Sequence, residues 1–323
     1  MASNFWKNRR VLVTGGAGFI GYALSRELSR AGARVCVLDV KPLPKYATSQ
    51  EKKALRYKKG SVTSSATIRA ILKKNRIQIV FHLAAEAIVG RALENPEAAF
   101  DVNVRGTWVI LEEVRKYFPR VEVVVASSDK AYGSHAQLPY KEDAPLHGVN
   151  PYDASKSAAD LIANSYAKTY GLDIAIARCG NVYGPGDLNW SRLIPDALRS
   201  IAKKTTLKLR SNGKYARDYV FIDDIVDAYM TLAQNVGKKK MHGEAFNFGT
   251  NEPMSVMDVL DAVGVAAGNH VHYSVEDTAK YEIERQYLDS SKARRSLHWN
   301  PIVSRDDGFK KTAAWYSEFL RYL

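Results

Sequence analysis

Short unbroken apolar runs punctuate this chain, and each ends in glycine, an acid or small residues. Arg10-Val11-Leu12-Val13-Thr14 predicts a buried strand. It runs into Gly15-Gly16-Ala17-Gly18-Phe19-Ile20-Gly21 and then a helical stretch from Tyr22 to Arg30. A second run, Arg34-Val35-Cys36-Val37-Leu38, ends at Asp39. Ile77 to Leu83 leads into Ala84-Ala85, Val121 to Ala126 leads into Ser127-Ser128, and Glu244 to Phe248 predicts a late strand. Between these runs, Pro151 suits the first turn of a helix reaching about Thr169, and Tyr152 and Lys156 share one of its faces.

Strand, glycine turn and helix in that order form a dinucleotide site. The glycines permit a tight turn and close backbone approach, and the helix N-terminus offers amides and partial positive charge to a pyrophosphate. Asp39 stands 18 residues after Gly21, where a carboxylate can take the adenosine ribose hydroxyls. That favours NAD over NADP, because an acid there repels a 2′-phosphate, although nearby Lys41 leaves room for one. Ala84 and Ala85 would let the backbone lie against the cofactor. The strand from Val121 delivers Ser127 and Ser128 to the carboxyl edge of the sheet, where ligands of open α/β sheets bind. At that edge, an ammonium at Lys156 would favour the phenolate of Tyr152 and bring it toward a working base.

The chain resembles the extended short-chain dehydrogenase/reductases of the nucleotide-sugar epimerase/dehydratase family. The matching motifs run in family order: Thr14 to Gly21, His82-Leu83-Ala84-Ala85, Asn103 to Thr107, Tyr152 with Lys156, Asn181-Val182-Tyr183-Gly184-Pro185-Gly186, and Arg217 to Asp224. The resemblance implies a doubly wound, Rossmann-type parallel sheet with a smaller α/β substrate lobe. Residues 1–178 and 219–249 are assigned to the first, and 179–218 and 250–323 to the second. It also implies that Gly15, Gly18, Phe19, Ile20, Gly21, Asp39, Leu83, Ala84, Ala85, Asn103, Tyr152 and Lys156 hold NAD. Ser128 would bind the substrate oxygen, Tyr152 take the hydroxyl proton and Lys156 hold the nicotinamide ribose.

A 4-epimerase needs nothing more, whereas a dehydratase needs an acid and a base directly after the triad serine. Here Asp129 and Lys130 stand there, a pair similar to that of CDP-glucose 4,6-dehydratases. The expected reaction is therefore 4,6-dehydration of a nucleotide-diphosphate sugar, with Asp129 as acid and Lys130 as base. CDP-glucose is the first candidate, with UDP-, dTDP- and GDP-linked hexoses behind it. The glycine loop Ala17 to Gly21 is of the epimerase and dTDP-glucose dehydratase type, and a 4-epimerase is the rival reading. Ser61 follows Gly60 where the family usually has an adenine-reading Asp. Glu86, Ser128, Asn181, Arg192, Lys208, Arg217 and Arg285 are the candidate substrate ligands, the cations because a diphosphate needs them.

Composition narrows the alternatives. With 323 residues and 46% hydrophobic content, the chain can bury a large core. Forty-seven basic against 34 acidic residues, a net +13, suit anionic ligands. The cations are scattered apart from runs such as Lys238-Lys239-Lys240, and no nucleic-acid motif accompanies them. A nucleic-acid-binding or merely NAD-sensing protein is the remote alternative. Two cysteines, Cys36 and Cys179, and no membrane-length apolar run point to a reducing, cytoplasmic setting without membrane insertion. His270-Val271-His272, in an expected strand, offers two rings on one face and no third ligand, so no metal is expected. By resemblance, a homodimer would form through Ala98–Tyr117 and Tyr152–Tyr170.

Overall fold

The computed structural model describes residues 5–238, 241–278 and 283–322. Lys239 and Lys240 of the basic run lie outside them. Its centre is a parallel sheet of seven strands: β1 (Arg10–Thr14), β2 (Arg34–Asp39), β3 (Arg56–Lys59), β4 (Ile79–His82), β5 (Glu122–Ser128), β6 (Ile174–Cys179) and the strand Glu244–Phe248. Their order in space is Glu244–Phe248, β6, β5, β4, β1, β2, β3. The chain thus moves outward from β1 to β3 and returns to β4 on the other side of β1. That reversal opens the crevice at the strand ends where a dinucleotide binds.

Both faces of the sheet are covered, so its inner strands are mostly apolar; Val11, Leu12, Val13, Val123 and Val124 are fully buried. One core lies between the sheet, the helix Phe19–Arg30 and the helix Ile222–Val236. The other lies beneath Ser65–Asn75, Gly106–Tyr117 and Pro151–Tyr170. β3, with sequence Arg-Tyr-Lys-Lys, escaped the apolar pattern because it is an edge strand, and cations guard such edges against further pairing.

Two expected boundaries move. The first helix starts at Phe19 rather than Tyr22, which places Phe19, Ile20 and Gly21 inside its first turn. Gly21 permits this, because a Cβ there would strike the Gly15 carbonyl. The strand expected around His270–His272 is Tyr273–Val275 instead, paired with Leu207–Leu209. The two imidazoles still neighbour one another, with centroids 5.2 Å apart, on an exposed surface.

A smaller sheet is built on Ala216–Phe221, which pairs with Asn181–Tyr183, Pro253–Ser255 and Arg285–Gln286. We propose the two-lobe division set out above with its 218/219 boundary moved to 221/222, because the whole Ala216–Phe221 strand lies in this smaller sheet and the next helix, Ile222–Val236, packs on the large one.

Candidate active site

The glycine turn is fixed by backbone contacts. Gly15 has φ +70°, and a Cβ on it would lie 2.7 Å from the amide nitrogen of Ala84. Only glycine lets the end of β1 pass this close to the segment after β4. Gly18 caps the first helix, and its amide donates to the Gly15 carbonyl at 3.0 Å. The Asp39 carboxylate sits beside the turn, accepting from Ala17 N at 3.0 Å and Lys41 N at 2.9 Å. Leu83, Ala84 and Ala85 follow directly, with Leu83 N donating to the Thr14 carbonyl at 3.1 Å. A flat backbone cradle, first-turn amides and a carboxylate at the end of β2 fit a dinucleotide such as NAD. Ser61 shares a hydrogen bond with Thr63.

Behind the cradle, Asn103 lies in a π-helical turn, Asp101–Arg105, between the helices Pro96–Phe100 and Gly106–Tyr117. Such turns redirect side chains at functional sites. Asn103 accepts from Glu86 N at 2.7 Å and donates to Ser155 Oγ at 2.8 Å, so it ties the loop after β4 to the helix Pro151–Tyr170. Glu86 turns its own carboxylate onto the Ile88 amide. His82, which the sequence marks only as part of the His82–Ala85 motif, joins Thr14 at 2.8 Å to Thr107 at 3.1 Å. Burial pushes its pKa down to about 3, with Lys156 adding to the effect, so the ring stays neutral.

The candidate redox residues lie where β5 gives way to a short 3-10 turn, Asp129–Tyr132. Ser128 caps that turn, accepting from Lys130 N at 3.2 Å, and its hydroxyl donates to Asp129 Oδ1 at 3.0 Å. Tyr152 arrives beside it from the Pro151–Tyr170 helix, close enough for the Ser128 hydroxyl to favour the phenolate. Burial drives the Tyr152 phenol up to about 12, and the largest attraction in the other direction comes from Arg192, followed by the Ser128 hydroxyl. The helical spacing had pointed to Lys156 for that support. Instead Lys156 donates to the Ala126 carbonyl at 2.9 Å, and its own burial brings it down to about 8. Arg192 is held toward this region by Asp187 at 3.0 Å.

Asp129 is almost completely buried, and burial raises its pKa against the pull of Lys130, the Ser128 hydroxyl and Arg217. Its Oδ2 is buried with no hydrogen-bond partner among the described residues. Lys130 Nζ donates to Gln286 Oε1 at 2.5 Å, and Gln286 Nε2 donates to the Asp129 carbonyl at 2.9 Å. Gln286 had no sequence signal, since it lies 156 residues beyond Lys130. In strand register it faces Arg217, which is buried and caps the carbonyls of Ala216 and Glu284. Cys179 lies near this cluster with its thiol pushed up to about 12 by burial, which makes it a packing residue.

The remaining candidates are more peripheral. Asn181 is half-buried and opens the strand that pairs with Tyr219. Lys208 is exposed and ion-paired with Glu276 at 3.2 Å, while Arg285 is exposed over the Tyr287 ring. A groove of about 720 Å³ runs along the far side of the helix Pro151–Tyr170, between Leu161, Lys141 and Lys292, and none of Ser128, Asp129, Lys130, Tyr152 and Lys156 lines it. Its buried Arg178 and Asp160 form a two-bond ion pair, at 2.8 and 2.9 Å. Among the described residues no group of side chains could hold a metal ion.

Residues 11–249 match the model of the NAD dependent epimerase/dehydratase family. The chain belongs to that family. Its relatives there divide between two activities. The UDP-glucose 4-epimerase of Mycolicibacterium smegmatis is 31% identical over 95% of this chain and 98% of its own. The CDP-glucose 4,6-dehydratase of Salmonella typhimurium is 29% identical over 98% and 93%. Among solved structures, a dTDP-glucose 4,6-dehydratase from Streptomyces venezuelae, crystallised with NAD, superposes with a TM-score of 0.85 at 30% identity, over 97% of this chain and 98% of that one. Family members of both kinds thus cover nearly the whole chain, and its glycine cradle fits the cofactor for which the family is named.

Proposed function

We propose that this protein is an NAD-dependent nucleotide-sugar 4,6-dehydratase, with CDP-glucose as the first candidate substrate. The observation that carries the reading is the Asp129-Lys130 pair beside Ser128, a half-buried lysine next to a buried carboxyl whose burial favours the protonated form. A 4-epimerase gains nothing from a second acid and base. The 31% identity to a UDP-glucose 4-epimerase favours that second reading, and the experiment below separates the two.

When bound, NAD supplies the hydride acceptor for carbon 4 of the sugar and the hydride donor for carbon 6. Ser128 Oγ hydrogen-bonds the carbon 4 oxygen, and Tyr152 Oη takes its proton. Oxidation makes the hydrogen at carbon 5 acidic. Lys130 Nζ, as the neutral amine, removes it while the Asp129 carboxyl protonates the departing carbon 6 hydroxyl. Water leaves and the carbon 5–carbon 6 double bond forms. After carbon 6 is reduced, Lys130 returns its proton to carbon 5. Asp129 regains a proton from solvent as Tyr152 releases the one it took, so the sum is nucleotide hexose to 4-keto-6-deoxyhexose plus water. Arg192, Arg217 and Asn181 are our candidates for the diphosphate, with Lys208, Arg285 and the Glu86 loop as further substrate contacts.

Incubating the protein with NAD and a panel of nucleotide hexoses, followed by mass spectrometry, tests this. Loss of one water from one substrate is the expected outcome. Lys130→Met or Asp129→Asn should then lower water loss by about 10²- to 10⁴-fold while carbon 4 oxidation persists. A new isomer of unchanged mass would sink the dehydratase and make the protein an epimerase.

A further inference from the structure

The acid/base pair is held from the substrate lobe by one buried amide. Gln286 occupies the two-residue strand Arg285–Gln286, pairs in register with Arg217 and is fully buried. One end of its amide accepts from Lys130 Nζ and the other donates to the Asp129 carbonyl. A flipped amide would set its NH₂ against the lysine N–H groups and its oxygen against a carbonyl, so only one orientation satisfies both ends. We propose that Gln286 is a positioning residue for the elimination step, aiming the Lys130 amine while adding no charge to the site. This inference rests on the dehydratase reading.

The chemistry of the step explains why an amide suits this position. Asp129 and Lys130 begin as carboxylic acid and amine and end as carboxylate and ammonium. An amide oxygen accepts an N–H from either form of the lysine, so the contact persists through the transfer. A carboxylate at 286 would add an ion pair in a buried site and favour the ammonium, the wrong starting form for a base. Several charges already act around Lys130: Asp129 on its own turn, Asp153 on the catalytic helix, and Arg217 on the neighbouring strand, which acts on both carboxyls. Burial, opposed most strongly by Lys130, places the Asp153 carboxyl at about 6. A neutral residue at 286 leaves this balance undisturbed.

The test compares Gln286→Glu and Gln286→Leu with the wild-type protein, using NAD and the nucleotide hexose that the wild type dehydrates. Absorbance of the reduced cofactor reports carbon 4 oxidation, while deuterium uptake at carbon 5 and water loss report elimination. Both variants should keep oxidation and KM within about 3-fold and lose about 10- to 100-fold in kcat for water loss. The Glu variant should recover as pH rises, because its lysine then sheds the proton that the new carboxylate retains; the Leu variant should not. Unchanged elimination in both variants would overturn the proposal. So would a parallel loss of oxidation and elimination, or identical pH profiles for Glu, Leu and wild type, which would mark a structural role only. Failure of the wild type to dehydrate any substrate is a separate result, visible before the variants are compared, and it removes the reading beneath.

Discussion

At the scale of single residues, the site depends on which charge faces which group. In the proposed reaction Tyr152 must lose a proton, and its environment holds it up at about 12, chiefly by burial. Arg192 is the largest attraction on its phenolate, so Arg192→Leu should raise the phenol pKa further. For a group acting as base, the rising limb of the pH–rate profile then moves to higher pH, and the rate of carbon 4 oxidation at neutral pH drops several-fold. Arg192→Lys should restore part of it. A profile unmoved by Arg192→Leu would return the supporting role to Lys156. The spacing of Tyr152 and Lys156 was readable in the sequence, but the identity of the nearest useful cation was not, since Arg192 enters from another lobe.

At the scale of elements, β1, β4 and the helix Gly106–Tyr117 are bolted together by one neutral histidine. His82 bridges Thr14 and Thr107 inside the core. Its pKa is lowered from 6.5 to about 3, so the stabilisation this brings is fully present above about 6.5 and is lost as pH falls toward 3. His82→Asn removes that dependence. In urea denaturation the stability gap between wild type and variant should therefore narrow by about 2–3 kcal/mol between pH 7 and pH 4.5. A constant gap would mean that the imidazole is not kept neutral by the fold. The apolar runs announced β1 and β4 well, but not this bridge, because a histidine at a strand end reads from sequence as any polar terminus.

At the scale of the whole molecule, two surfaces stand out. The first 80 residues hold 17 lysines and arginines against 3 acids, a net +14, while the entire chain carries +13. The positive charge thus belongs to the β1–β3 side of the sheet, and the rest of the chain is close to neutral. A second surface lies on the two helical regions from Pro96 to Tyr117 and Pro151 to Tyr170, where Phe100, Trp108, Tyr117, Leu161 and Tyr170 are exposed. Separate exposed apolar residues are ordinary, but five across these two neighbouring helical regions suit a covered face. We propose a homodimer through these helices. Trp108→Glu combined with Leu161→Glu should convert it to a monomer in light scattering, with the fold intact by circular dichroism. A wild-type monomer would refute the idea.

The sequence by itself marked β1, β2, β4, β5 and the strand Glu244–Phe248, the glycine turn, Asp39 and the Ser128–Lys130 and Tyr152–Lys156 segments, while the order of the strands in space came only with the structure. Each of these is a local pattern in which neighbouring residues act together, so the order of side chains along the chain already carries the geometry. Tertiary structure alone decided the rest. Gln286 reaches Lys130, Asn103 ties Glu86 to Ser155, and Arg192 acts on Tyr152, all across long separations in the chain. The protonation preferences of Asp129 and Lys156 also arise only there, because desolvation depends on what folds over a group and not on its neighbours in sequence.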